Sequence, residues 1–378
     1  MDTTNLKCPM CGTSLKFDVG SGMFKCDFCG SSFSDTEINQ ITEKHSDSDV
    51  DINKSEYKNF ENQEQIPEIK QQIPKFNQQN SLEENPNLSL YHCKNCGAEM
   101  VTDPNTSSTF CVYCGSTAIL KSRLEGEFRP KYIIPFSKTK EDAIKAYNII
   151  RKGKFLAPNE FGKESNIQKI TGVYIPFWLY SGKSTGHIDC KTKQTTSWRS
   201  GDYIYKKIDI YKEVREGYST FEKLPTDASI KFADDLMDSI EPFEFDKLKP
   251  FNYSYLSGFL AEKYDVKSQQ DEPRAKFRME NSLTNTLMQT IHSSNVTFDI
   301  NKSFNTELQN EPEYALLPVW MLNTIIENKT YTFAMNGQTG KIIGDIPVSK
   351  NKCIIYTLIM LACCFGILTL IYELIFAI

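Results

Sequence analysis

The sequence predicts an α+β chain: two small zinc ribbons, a mainly antiparallel α+β domain and one C-terminal transmembrane helix. Three observations predict it. Two cysteine quartets of identical spacing stand near the N-terminus, strand-like alternation interleaved with helical faces fills the middle, and a charge-free run of twenty residues lies at the C-terminal end. A length of 378 residues suits two or three folded units with connectors.

The quartets are Cys8, Cys11, Cys26, Cys29 and Cys93, Cys96, Cys111, Cys114. Each reads C-x2-C-x14-C-x2-C, an internal repeat with a shift of 85 residues, and Gly12, Gly30, Gly97 and Gly115 each follow a pair. Zinc takes four thiolates at tetrahedral corners, and a C-x2-C turn presents two of them from one tight loop. Glycine after the second cysteine permits a positive φ that aims backbone N–H groups at sulfur. Two Zn2+ ions, one per ribbon, are expected. A thioredoxin-like redox pair would open a helix after a strand, and none of the four pairs does. His92 adjoins a quartet that is already complete. The N-terminus, MDTTNLKCPM, lacks the charged-then-apolar pattern of an export signal, so the cysteines are expected in a reducing compartment, where pairs mean metal.

Ribbon one occupies residues 1–34 and ribbon two residues 91–121. Residues 35–90 between them are rich in Asn, Gln, Glu, Lys and Ser and lack Trp, Gly and any steady apolar period, which predicts a disordered polar linker.

Residues 127–349 read as the α+β globular domain and hold all three tryptophans, Trp178, Trp198 and Trp320. Thr139 with Asp142 forms a capping-box signature ahead of a helical face of Ala143, Tyr147 and Ile150. Ile230, Ala233, Met237 and Ile240 predict a helix over 228–240, and Met279, Leu283, Leu287 and Ile291 another over 273–292. Strand signals fall in GVYIPFWLY, YIYKKIDIYKEV, VTFDI, YALLPVWMLNTII and KTYTFAMNGQTGKIIG. In the last, Asn336-Gly337 predicts a hairpin turn. YIPFWLY and LLPVWML both place Pro two residues before Trp, the sign of a duplicated subdomain.

Cys353–Tyr372 carries no charge and is long enough, at about 1.5 Å per residue, to cross a bilayer core of about 30 Å. Lys350 and Lys352 precede it, which predicts a single-pass cell-membrane protein with its N-terminal bulk in the cytoplasm. A mean hydropathy of −0.42 confines the membrane-embedded part to a small share of the chain.

A formal charge of −5 gives no overall basic excess. Lys7, Lys16 and Lys25 in ribbon one are matched by Asp2, Asp18 and Asp27. Ribbon two is balanced likewise, which argues against nucleic acid as partner. Phosphate cradles and H-E-x-x-H are absent from the sequence. His187, Asp189 and Cys190 lie close in sequence, but on a strand the first two face one way and Cys190 the other. The residues therefore predict no enzyme, no catalytic group and no small-molecule substrate, but a membrane-anchored adaptor for partner proteins. The alternative is a membrane-tethered nucleic-acid-binding zinc-ribbon protein.

The order of two CxxCG ribbons, a globular region ending LPVWMLNTIIENKTYTFAMNGQTGKIIGDIPVSK and a terminal apolar helix resembles a group of bacterial zinc-ribbon membrane proteins. The likeness spans nearly the whole chain and is most specific at Trp320, Tyr331, Asn336, Gly337, Gly340 and Pro347. Members carry the labels TFIIB-type zinc ribbon or primosomal-helicase-like; the helicase's nucleotide motifs are missing here. The resemblance implies a setting beside SPFH-domain proteins and phage-shock-type membrane-stress partners, with the eight quartet cysteines as zinc ligands and the C-terminal helix as anchor. The spacer between the ribbons is wider than that group's pattern.

Overall fold

The computed structural model describes the chain apart from residues 1–5, 39, 41–88, 94–98, 104, 112–115, 153, 160–168, 292–295, 327–328, 347 and 377–378. Most of the predicted linker therefore lies outside the described residues, while Asp35–Ile38 form a helical turn. β1 (Leu15–Asp18), β2 (Met23–Cys26) and β3 (Ser32–Phe33) make a three-stranded ribbon. β4 (Ser89–His92) and β5 (Glu99–Thr102) form a hairpin, followed by β6 (Thr106–Phe110), β7 (Thr117–Ile119) and β8 (Tyr132–Ile133). Next come α1 (Lys140–Arg151), β9 (Thr171–Ser200), β10 (Tyr203–Asp227), α2 (Asp234–Ser239), β11 (Lys249–Pro250), β12 (Leu260–Glu262) and α3 (Ser268–Gln289). The chain continues through β13 (Val296–Leu308), β14 (Glu313–Ile326), β15 (Lys329–Asn336) and β16 (Ile342–Gly344) to α4 (Lys350–Phe376).

β6 to β16 join in one mixed, mainly antiparallel sheet, so the second hairpin of the ribbon-two segment is hydrogen-bonded into the main sheet through β12. At its centre β9 and β14 run antiparallel, with Ile175 opposite Leu317. Residues 173, 175, 177 and 179 face a core shared with Met237, Ile240 and Phe243; Tyr174, Trp178 and Tyr180 face the larger core that takes in Tyr147 and Met279. Burial on both faces is why this stretch reads as a continuous apolar run.

The two P-x-W motifs are partners across this pair. Leu316 opposes Pro176 and Pro318 opposes Tyr174, relating the motifs by a local two-fold through Ile175 and Leu317. The relation extends outward. β12 runs parallel to β9 with Ala261 opposite Tyr174, and β8 runs parallel to β14 with Ile133 opposite Leu316. Each tryptophan then donates its indole N–H to the residue just before a helix N-cap: Trp178 to Val266 O at 2.9 Å, Trp320 to Lys138 O at 2.8 Å. Pro176 O accepts from Ala228 N at 2.9 Å and Pro318 O from Gly337 N at 2.8 Å. Tyr264 packs on Trp178 and Phe136 on Trp320. Two copies of a strand–helix–long-strand unit are present, each lending its short strand to the other.

Local chemistry sets the helices. Thr139 Oγ1 accepts from Asp142 N at 3.2 Å while Asp142 Oδ2 accepts from Thr139 N at 3.1 Å, the predicted capping box. α3 begins at Ser268, five residues before the predicted start, because Gln270 Oε1 takes up Lys267 N at 3.2 Å in a polar first turn that shows no apolar face. The helix predicted over 228–240 is reduced to α2. Ala228 and Ile230 spend their N–H groups on Pro176 O and Asp265 Oδ1, which holds the chain extended and leaves Ile230 exposed. The turn after β15 is also longer than Asn336-Gly337 alone. Asn336 Oδ1 accepts from Gln338 N and Thr339 N, and the positive φ falls on Gly340. Gly337 is required for close approach, since a Cβ there would lie 2.6 Å from Phe136.

A partly buried ionic clamp joins β10, α2 and α3. Arg274 reaches Asp227 at 2.9 Å and Asp238 at 2.7 Å, and Arg278 reaches Glu241 at 2.9 Å. Burial pushes the Asp227 carboxyl up to about 6 and Glu241 up to about 7 against the pull of these arginines. For Asp227, the buried Oδ2 without a partner accounts for the direction.

Trp178→Phe and Trp320→Phe should each cost about 1–3 kcal/mol in denaturant unfolding, because each leaves a carbonyl short of its donor in an equivalent place. Asp227 and Glu241 bind protons more tightly folded than unfolded, where carboxyls titrate near about 4. Their contribution is fully present below that and is lost as pH rises through about 6 to 7. Asp227→Asn should therefore gain stability relative to the native chain between pH about 5 and 8, read as the difference in denaturation midpoint.

Candidate metal centre and projecting ribbon

Cys8 and Cys11 close one turn and Cys26 and Cys29 a second, facing it. In each, the first cysteine donates its N–H five residues ahead (Cys8 N to Thr13 O at 2.6 Å, Cys26 N to Ser31 O at 2.9 Å). In each its carbonyl takes the glycine N–H, Gly12 at 2.8 Å and Gly30 at 3.0 Å. Both glycines have φ of +74°, as the CxxCG pattern requires. The four Sγ atoms all lie within 4.8 Å of one another, with Cys8–Cys29 at 3.6 Å and Cys11–Cys26 at 3.4 Å. Thiolates around a tetrahedral zinc with bonds of about 2.3 Å stand about 3.8 Å apart, so the set fits such an ion and could hold it. Cys8 and Cys26 are buried, Cys11 and Cys29 exposed. Burial pushes the Cys8 thiol up to about 11, whereas the Ser31 hydroxyl and backbone N–H bring Cys29 down to about 6. Thr13 lowers Cys11 in the same way.

In the second quartet Cys93 and Cys111 are buried together against Ala118, and Cys93 Sγ lies 3.5 Å from Ser116 Oγ. Cys111 N donates to Ser116 O at 2.9 Å, the same closing bond as in ribbon one. Cys96 and Cys114 lie outside the described residues.

Ribbon one is seated on the α+β domain. Phe17 and Phe24 pack on Tyr255 with ring centroids 5.4 and 5.8 Å away, and Phe17 N donates to Ser257 O at 3.1 Å. Tyr255 donates its hydroxyl to Asp35, which also takes Lys249 Nζ at 3.1 Å. Burial, with the Asp35 carboxylate behind it, pushes the Tyr255 phenol well above its ordinary range. The same turn receives ribbon two: Gly258 N donates to Thr117 Oγ1 at 3.0 Å and Ser108 Oγ to Phe259 O at 2.9 Å.

At the other end of the sheet, β9 and β10 continue as a ribbon. β13 flanks β9 as far as Lys193; beyond it, among the described residues, Gln194–Ser200 pair with β10 alone, and the strands turn at Gly201, φ +61°. Ile204, Ile208, Ile210 and Val214 project from one face, all exposed, with Ile204 at 71%. Trp198 stacks on Tyr205 at 5.7 Å from the other. Over residues 191–212 the sequence has six cations (Lys191, Lys193, Arg199, Lys206, Lys207, Lys212) and two carboxylates, Asp202 and Asp209; Lys191 and Lys212 pair with Asp299 and Asp189 from outside this span, and Lys207 with Asp209 within it. Composition concealed this patch because the acidic remainder of the chain outweighs it. The visible signal was alternation continuing on both sides of Gly201 for far longer than a strand of ordinary length.

The protein described as "Uncharacterized protein YdjG" of Bacillus subtilis (strain 168) is 33% identical over 311 residues, covering 69% of this chain and 91% of that protein. The chain belongs to the YdjG family. No family model and no solved structure matches it.

Of the remaining residues singled out in this YdjG-family sequence, His187 Nδ1 lies 2.8 Å from Glu216 and Asp189 pairs with Lys212 at 2.7 Å on the exposed face. Cys190 is fully buried on the opposite face, so the structure does not bring the three together. α4 meets the length and composition of a membrane-crossing helix, and its apolar side chains are exposed.

Metal removal tests the centre. Cys8→Ser/Cys26→Ser should lose the bound metal by elemental analysis and expose the Phe17–Phe24–Tyr255 contact to protease. Protons compete with metal for thiolate, so Ser31→Ala, which raises the Cys29 pKa, should move metal release on acidification to a higher pH.

Proposed function

We propose that this chain is a non-enzymatic, membrane-anchored zinc-ribbon adaptor that docks partner proteins at the cytoplasmic face of the membrane. In this reading α4 spans the bilayer and both cysteine quartets carry structural Zn2+, two ions in all. The observation that carries the reading is the opposition of two ends. Gly344 of β16 pairs with Phe333, which pairs with Leu322, so β16 leads to α4 beyond the start of β9. The β9–β10 tip leaves the sheet the other way. At about 3.3 Å per residue the 30 residues of β9 reach about 100 Å.

An apolar, cationic tip held that far from an anchor suits an acidic partner protein with an apolar patch, since charge steers the encounter and the isoleucine face supplies buried area. The family resemblance points to SPFH-domain and phage-shock-type membrane-stress proteins as such partners. A second reading, nucleic acid, draws on the same six cations and the exposed Trp198–Tyr205 stack.

The test is a nuclease-treated pull-down of the membrane-embedded protein read by mass spectrometry. It compares the native chain with Cys8→Ser/Cys93→Ser and with Trp198→Ser/Ile204→Ser/Ile208→Ser. Specific membrane-associated proteins lost from the tip variant support the adaptor. Enrichment of nuclease-sensitive material alone, with binding that falls steeply as salt rises, replaces it with the nucleic-acid reading.

A further inference from the structure

The start of α4 is held against the loop that follows α1. Ser349 N donates to Leu156 O at 2.8 Å, and Lys352 Nζ to Ala157 O at 2.6 Å. The Phe155 ring meets Tyr356 edge-on at 5.1 Å. Tyr356 is six residues past Lys350, which places the Phe155 ring about 9 Å along the helix axis from its first residue. Phe155 is nevertheless 62% exposed, and Ile149 and Val348 beside these segments are exposed as well. The charges are one-sided. No acidic residue occurs between Asp142 and Glu160 or between Asp345 and Glu373, whereas Arg151, Lys152, Lys154, Lys350 and Lys352 all do, in a chain of net charge −5.

We infer that the Lys154–Ala157 turn after α1 is a second membrane contact, a foot that seats Phe155 at the headgroup–acyl boundary while the surrounding cations bind anionic lipid headgroups. The inference rests on α4 crossing the bilayer. Given that span, the packing on Tyr356 brings the Phe155 side chain to the interface, whose depth of about 5–10 Å matches the position of the ring. Basic side chains next to a membrane helix gain about 1 kcal/mol each from an anionic leaflet, so the five act together. Water is a poor environment for an exposed phenylalanine, and the acyl boundary a favourable one. Two attachments, a helix and a foot, fix the rotation of the domain about the helix axis, which one flexible tether would leave free. The β9–β10 ribbon then leaves the bilayer in a set direction.

The experiment uses the full chain in vesicles of phosphatidylcholine with or without phosphatidylglycerol, some of the lipid being brominated on its acyl chains. Trp emission added by Phe155→Trp is measured against the native background of Trp178, Trp198 and Trp320, and Leu368→Trp reports the span. The expected result is quenching of Leu368→Trp in both compositions. Phe155→Trp should be quenched more strongly with phosphatidylglycerol, and Lys152→Gln/Lys154→Gln should reduce that difference. If Leu368→Trp is quenched and Phe155→Trp is not, the foot is wrong and the anchor stands. If neither is quenched, both fall. Equal quenching of Phe155→Trp in the two compositions overturns the anionic-lipid part.

Discussion

The pairing of β9 with β14 governs the rest of the fold, and proline governs that pairing. Proline has no N–H to give a neighbouring strand, so in a central strand it is tolerated only where one edge has no partner to serve. Pro176 sits where the outer neighbour of β9 changes from β12 to β10, and Pro318 where that of β14 changes from β8 to β15. The vacancy beside each ring lets a short parallel strand end and a long antiparallel one begin. Trp178 and Trp320, two residues on, then tie each long strand to the helix of the other unit.

Features decided by neighbours in sequence were legible. The cysteine turns, the Thr139 cap and the face assignment of His187 and Cys190 follow from spacing alone, because tight turns, caps and strand alternation are local. Features decided at long range were not. Nothing local in residues 228–233 shows that Pro176 and Asp265 capture their N–H groups, so the apolar spacing of Ile230, Ala233 and Met237 imitates a helix. The repeat was visible only as Pro-x-Trp. Most of its remainder is carried by strand pairing and by bonds to backbone carbonyls, which leave little mark on side-chain identity.

The metal centre and the sheet are physically continuous. Cys8 and Cys26 share one buried cluster with Phe24, Tyr255 and Trp178, and the Tyr253–Phe259 turn carries both ribbon one and the β6–β7 hairpin. A bound ion would thus hold in place the aromatic pair that covers Tyr255, and would set the geometry of the turn that also seats ribbon two. The structural role of an ion bound there would reach beyond its own ribbon for that reason.

The exchange of short strands between the two units has a consequence for biosynthesis. During translation β9 emerges with neither β12 nor β14 available, so the first unit cannot close its core by itself. Its last central partner, β14, is complete only at Ile326, and α4 begins at Lys350. The core therefore becomes able to close as α4 is about to be made. Until then a thirty-residue strand rich in aromatic and branched side chains waits unpaired along one edge, in a nascent chain exposed to whatever else can pair with it.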